Sequence, residues 1–132
     1  MYKFSMTSQE RLATCHPALQ QICNEVIQVY DITVLEGYRD KERQNYYFKT
    51  GASKLRYPQS RHNSEPSLAV DIAPWPINWT DINRFYFMAG HVFMAAHKLG
   101  VRITWGGDWD GDKSFKDNKF NDLPHFEYRG EL

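Results

Sequence analysis

No stretch of this chain approaches the roughly 20 consecutive apolar residues that cross a bilayer, and its start, Met1-Tyr2-Lys3-Phe4-Ser5, lacks the apolar run of a secretory signal. Those absences argue against membrane insertion and lead us to expect synthesis in a cytoplasm without a signal peptide. Net charge is missing too. Sixteen basic residues balance sixteen acidic ones, so nothing advertises a nucleic-acid or anionic-membrane partner. Cysteine is scarce: Cys15 and Cys23 lie in a segment that reads as helical, which would hold them about 12 Å apart. Both are expected as reduced core thiols. Repeats, low-complexity tracts and linker composition are also wanting, and 132 residues suit one domain, 1–132. Aromatic residues, by contrast, are plentiful at 15%, enough for a dense core or an aromatic-lined cleft.

Residues 8–16 read as a short helix stopped by Pro17, which then opens a second helix as its first residue. Leu19, Ile22, Cys23, Val26, Ile27 and Tyr30 recur there at helical spacing. A strand is expected at 31–36, ended by Gly37, and Asp40 can cap a helix through Phe48 or Lys49 that closes at Gly51. Turn chemistry predicts a long exposed loop at 52–66, followed by a strand at 68–73. Thr80 is the expected cap of the longest helix, with Ile82, Phe85, Tyr86, Ala89, Phe93 and Ala96 on one face and Gly100 at its end. A strand at 101–104, a surface loop at 105–121 and a last short strand at 125–128 complete the chain. This order predicts an α+β domain with helices packed on one small, mainly antiparallel sheet.

Two blocks carry chemistry: Ser60-Arg61-His62-Asn63-Ser64-Glu65-Pro66-Ser67-Leu68-Ala69-Val70-Asp71 and Asp122-Leu123-Pro124-His125-Phe126-Glu127. The two imidazoles and one carboxylate of His62, Asp71 and His125 are the ligand set of a catalytic zinc site, in which three protein ligands leave a fourth position for water. Strand alternation sends Ala69, Asp71 and Ala73 to one face, opposite Leu68, Val70 and Ile72. His125 and Glu127 share a face in the same way. A metal site is therefore expected at the sheet, with His62 folding over from its loop. Asp122, three residues before His125, is a candidate general base. Glu127 is its rival as base or ligand, and otherwise a salt-bridge or supporting hydrogen-bond residue. His16, His91 and His97 read as helix-surface or packing residues. Trp75 and Trp79 read as core or lid residues, whereas Trp105 and Trp109 are candidates for the wall of a cleft. Asp108, Asp110 and Asp112 have the alternate spacing of a calcium loop, but Lys113 and Lys119 stand where an EF-hand needs Gly and Glu. An EF-hand is excluded; a looser ion role stays open beside a solvated loop.

These residues resemble the zinc peptidases that include D-alanyl-D-alanine carboxypeptidases and the L-alanyl-D-glutamate endopeptidases of phage endolysins. The first signature of that family is similar to Ser60-Arg61-His62 with Ala69-Val70-Asp71, the second to Asp122-Leu123-Pro124-His125. Gly37-Tyr38-Arg39 with Gln44, and Trp105-Gly106-Gly107-Asp108-Trp109, look like the phage branch. The resemblance implies one Zn2+ on His62, Asp71 and His125, a catalytic base at Asp122 and a substrate or transition-state role for Arg39. Ser60, Gln44 and Trp105 become substrate or cleft candidates. Two departures stand out: eight residues separate His62 from Asp71 where the family has six, and Ser67 stands where it has Gly.

The implied function is hydrolysis of a peptidoglycan stem-peptide amide, foremost L-alanyl-D-glutamate, by a phage lysis enzyme. The alternatives are a D-alanyl-D-alanine carboxypeptidase or dipeptidase, and a non-catalytic cell-wall or virion binding module. The implied partners are the stem peptide and a holin for export. The expected protein is a monomer without a separate cell-wall-binding domain, made in the host cytoplasm and acting at the wall.

Overall fold

Eight elements form in the order α1 (Met6–Leu12), α2 (Pro17–Ile27), β1 (Ile32–Glu36), α3 (Lys41–Thr50), β2 (Ala69–Pro74), α4 (Ile82–Lys98), β3 (Val101–Gly106) and β4 (Asp122–Glu131), with a 3-10 turn, Arg61–Asn63, ahead of β2. The computed structural model describes residues 1–113 and 121–132. Local chemistry sets several of the limits. Asp40 accepts the Arg43 amide at the start of α3, and Gly51 closes that helix at φ 84°, a left-handed conformation costly for other residues. Pro17 opens α2 behind His16, whose Nδ1 accepts the Ala18 amide. The cap of α1 is Ser5, so that helix starts at Met6 and ends at Leu12, short of the expected 8–16. Cys15 thus lies outside both helices. It and Cys23 are nevertheless buried free thiols, and burial pushes the Cys15 thiol up to about 12.

The strands form one small sheet in the order β1-β2-β4-β3, antiparallel throughout. As an edge strand β1 exposes unpaired backbone groups, which α1 covers. The Val34 amide donates to Ser8 Oγ at 3.0 Å and Arg11 Nη1 donates to the Val34 carbonyl at 3.1 Å. The core joins Val34, Val70, Ile72 and Phe126 of the sheet to Leu19, Ile22 and Val26 of α2 and to Phe85, Met88 and Val92 of α4. Each such side chain contributes about 1.5–3 kcal/mol when fully buried.

Tertiary packing corrects four readings. The buried face of α4 is Phe85, Met88, Ala89, Val92, Ala95 and Ala96, leaving Ile82 and Phe93 exposed. Apolar residues surround more than one side of this helix, so periodicity could not fix its phase. Thr80 is not its cap; Asp81 holds that position, and the Thr80 hydroxyl donates to Asn78 Oδ1 instead. The third strand runs on to Gly106 and carries Trp105 into the core, 2% exposed, with its indole N–H donating to the Leu123 carbonyl at 2.8 Å. The last strand spans Asp122–Glu131 because pairing with β2 on one side and β3 on the other overrides weak local propensity. Pro124 falls where the β3–β4 register shifts, the place in a ladder that tolerates a missing donor.

The expected exposed loop at 52–66 is also interrupted, since Ser60, His62 and Asn63 are buried. Of the expected surface loop at 105–121, residues 114–120, with Lys119, lie outside the described residues. Among the described residues no helix is long and apolar enough to cross a membrane.

Candidate metal centre

Sheet register lines up three polar residues across three strands: Glu36 pairs with Asp71, and Asp71 with His125. A register shift after Val34 sets Glu36 opposite Asp71; unbroken alternation would group it with Ile32 and Val34. The second imidazole, that of His62, is carried by the 3-10 turn. Ser60 Oγ accepts the His62 amide at 3.2 Å, and the Ser60 amide donates to Asn63 Oδ1 at 3.0 Å. Backbone bonds then dock the turn, from the Arg39 amide to the His62 carbonyl and from the Leu68 amide to the Arg61 carbonyl. The segment between the turn and β2 is held beside the end of α1, where the Ser67 amide donates to Thr14 O and the His16 amide to Ser67 O. The Ser67 hydroxyl donates to the Ala69 carbonyl at 2.6 Å.

This scaffold brings His62, Asp71 and His125 to one point. His62 Nε2 is 3.2 Å from Asp71 Oδ1 and 3.2 Å from His125 Nδ1, and His125 Nδ1 is 3.0 Å from Asp71 Oδ1. Ligand atoms around a tetrahedral zinc with bonds near 2.05 Å stand about 3.3 Å apart. The outer nitrogens strengthen the fit. His62 Nδ1 faces the Gly37 carbonyl at 2.7 Å and His125 Nε2 faces Glu127 Oε1 at 2.9 Å. Protons on those outer nitrogens leave two imidazole lone pairs and one carboxylate oxygen converging without a donor among them, an arrangement that a divalent cation satisfies.

Charge is distributed accordingly. Burial opposes ionisation of Asp71, yet His62 and His125 hold its carboxyl far below the usual range. Burial also disfavours a charged His125, but Asp71 and Glu127 carry its pKa up to about 10. For Glu127 burial is outweighed by His125, Arg129 and Arg61, which keep it ionised. Arg129 Nη2 donates to Glu127 Oε2 at 2.6 Å, so Glu127 backs a histidine and does not face the convergence point. Asp122 Oδ2 stands 4.0 Å from His125 Nδ1, and burial, then Asp71, raises its carboxyl.

Arg39 reaches the rim of the centre, with Nη2 3.8 Å from Asp71 Oδ2. Its Nε donates to Glu36 Oε1 at 2.7 Å, its Nη1 to Gln44 Oε1 at 2.9 Å, and the Tyr47 ring lies 4.7 Å beneath it. Gln44 therefore sits behind Arg39, whereas Ser60 borders the cavity beside His62. Trp105 belongs to the core; the tryptophan that borders this cavity is Trp109, its ring 5.4 Å from that of His125. Three adjoining cavities of 410, 220 and 290 Å³ all border Asp122.

Sequence reasoning missed Glu36 and the tight packing of Gly37, where a Cβ would stand 2.5 Å from the Arg11 carbonyl. A glutamate three residues before Arg39 was the only available signal.

Comparison with known proteins identifies the family. An L-alanyl-D-glutamate peptidase of Escherichia phage T5 is 29% identical over 122 residues, 88% of each chain. The crystal structure of the Serratia marcescens L-Ala D-Glu endopeptidase ChiX superposes with a TM-score of 0.77 at 27% identity, covering 98% of this chain and 90% of that one. The family match itself runs over residues 1–128, nearly the whole sequence, and the chain belongs to the phage L-alanyl-D-glutamate peptidase family.

Proposed function

We propose that this protein is a zinc-dependent peptidoglycan endopeptidase that hydrolyses the L-alanyl-D-glutamate amide of the stem peptide in phage lysis of the host wall. Family membership supports the substrate. The observation that carries the chemistry is the convergence of His62 Nε2, Asp71 Oδ1 and His125 Nδ1, which would hold the ion. Bound zinc supplies Lewis acidity, polarising the scissile carbonyl and bringing the pKa of a coordinated water to about 7.

The remaining tasks fall to neighbouring side chains. Asp122 faces the centre without occupying a ligand position, and its raised carboxyl suits a group that takes up and returns a proton. It accepts the proton of the attacking water and delivers it to the leaving nitrogen. Arg39, fixed by Glu36 and Gln44, offers its remaining N–H groups to the charge that builds on the carbonyl oxygen. Space on more than one side of Asp122 favours an internal bond, because a carboxypeptidase or dipeptidase needs a closed end against a free terminus.

Metal analysis and mass spectrometry of fragments released from purified peptidoglycan test this reading on wild type and Asp122→Asn. Both proteins should carry one zinc. Wild type should release fragments cut between L-alanine and D-glutamate, and the variant should turn over about 10²–10⁴-fold more slowly. A wild type that binds wall without cutting it would establish a binding module, and fragments ending at D-alanine would establish the carboxypeptidase.

A further inference from the structure

The cavities around Asp122 differ in charge. That of 410 Å³ is bordered by Leu35, Trp79, Ile82 and Pro124, and apart from Asn121 its polar residues are Asp71 and Asp122 themselves. Among the described residues no cation borders it. The cavities of 220 and 290 Å³ are bordered by Arg39, with Lys54 beside the first and Arg43 beside the second. Glu36, paired with both Arg39 and Arg43, also borders the second cavity, as do Asp71 and Asp122, so these two cavities differ from that of 410 Å³ in holding cations and not in net positive charge.

Trp79 is distinctive within the 410 Å³ cavity. It is 57% exposed although the sequence suggested a core or lid residue. One face of its indole stacks on the buried Phe85, with centroids 5.5 Å apart and planes at 19°. A flat aromatic surface is thus held in place from behind, beside the centre.

Resting on the endopeptidase reading, the substrate divides in the same way. On the acyl side of the scissile bond lie the alanine methyl, a lactyl bridge and a sugar ring, all uncharged. On the amine side lies the glutamyl carboxylate, with further carboxylates beyond it. Alanine and lactyl together span about 7 Å of extended chain, so the sugar lies that far from the scissile bond, and one cavity is bordered by both Asp122 and Trp79. We propose that the substrate lies with its glycan-linked alanyl side over Trp79 and its carboxylate-bearing glutamyl side toward Arg43. The apolar C–H face of a pyranose matches the indole, and the glutamyl carboxylate matches the guanidinium of Arg43.

The test uses three soluble substrates: a disaccharide-linked stem peptide, the same peptide N-acetylated on alanine without sugar, and the disaccharide form with its glutamyl carboxylate amidated. For wild type, removing the sugar should lower kcat/KM about fivefold, and amidation should lower it about threefold. Trp79→Ala should erase the sugar preference and keep the carboxylate preference; Arg43→Gln should do the reverse. Zinc content and thermal midpoint of each variant confirm that the fold is intact. Unchanged preferences in the variants, a crossed pattern, or a wild type without either preference overturns the orientation while leaving the peptidase standing. A wild type that cuts none of the three overturns the peptidase reading and the orientation with it.

Discussion

Among the described residues, two groups of side chains bring potential metal ligands within 4.8 Å of one another: His62, Asp71 and His125 in one, Asp108, Asp110 and Asp112 in the other. Proximity does not distinguish them; support does. In the first group two ligands stand directly opposite each other on paired strands, and each histidine has its outer nitrogen engaged. The second group lies just after β3, with Asp110 and Asp112 exposed. Its carboxylates accept amides of its own loop, from Lys113 to Asp108 Oδ2 and from Asp112 to Asp110 Oδ1. Electrostatics point in opposite directions. His62 and His125 depress Asp71 against its burial, whereas burial, with Asp110 and Asp112, raises Asp108 against the Lys113 amide. A set of mixed donors on a rigid sheet is organised for a cation before one arrives, and a set of like charges on a turn is not.

The largest effect expected from that contrast is loss of metal. Asp71→Ala removes the only anionic ligand of the first group and should leave a folded protein with no zinc after dialysis and no hydrolysis. Asp108→Ala should retain one zinc per chain by elemental analysis. A zinc-free Asp108→Ala protein would show that the two groups are not separate. Next in size is Glu127→Ala, which leaves all three ligands in place but frees the His125 ring. Supports of this kind are worth about 10–100-fold in metal affinity. Competition with a chromophoric chelator should show a loss of that order, and unchanged affinity would reduce Glu127 to an ion-pair partner of Arg61 and Arg129.

What was legible in the sequence follows the same division. The caps Asp40 and Gly51 and the opening Pro17 were readable because each is a local chemical necessity, and the two blocks holding His62, Asp71 and His125 could be picked out by residue type, with the structure bringing the three together. Face alternation correctly kept Asp71 apart from Val70 and Ile72, since period two holds wherever a strand is regular. Reading failed where long-range contacts decide. Glu36 joins the centre through a register shift that leaves no mark in the sequence. Trp105 was assigned to a glycine-rich loop because strand pairing of Gly106 with Asp122 is invisible locally. The Arg61–Asn63 turn looked like exposed loop because a bond that docks it, from the Arg39 amide to the His62 carbonyl, comes from a distant part of the chain.

The smallest expected effect concerns protons. In the metal-free protein Asp71 and Glu127 carry the His125 pKa from its ordinary 6.5 to about 10 despite burial, so at pH 7 its ring holds a proton that an incoming ion must displace. Zinc binding at pH 7 should therefore release close to one proton, read from how the binding enthalpy varies with the ionisation enthalpy of the buffer. Because the folded pKa lies above the unfolded one, protonated His125 stabilises the metal-free fold fully below about 6.5, and that contribution is lost as pH rises through about 10. Metal-free protein should accordingly lose thermal stability from pH 7 upward, while the zinc-loaded form, its ring already deprotonated, should not follow. Release of no proton at pH 7 would mean that the three lone pairs already converge without a shared proton, and that the carboxylates around His125 are weaker partners than their distances imply.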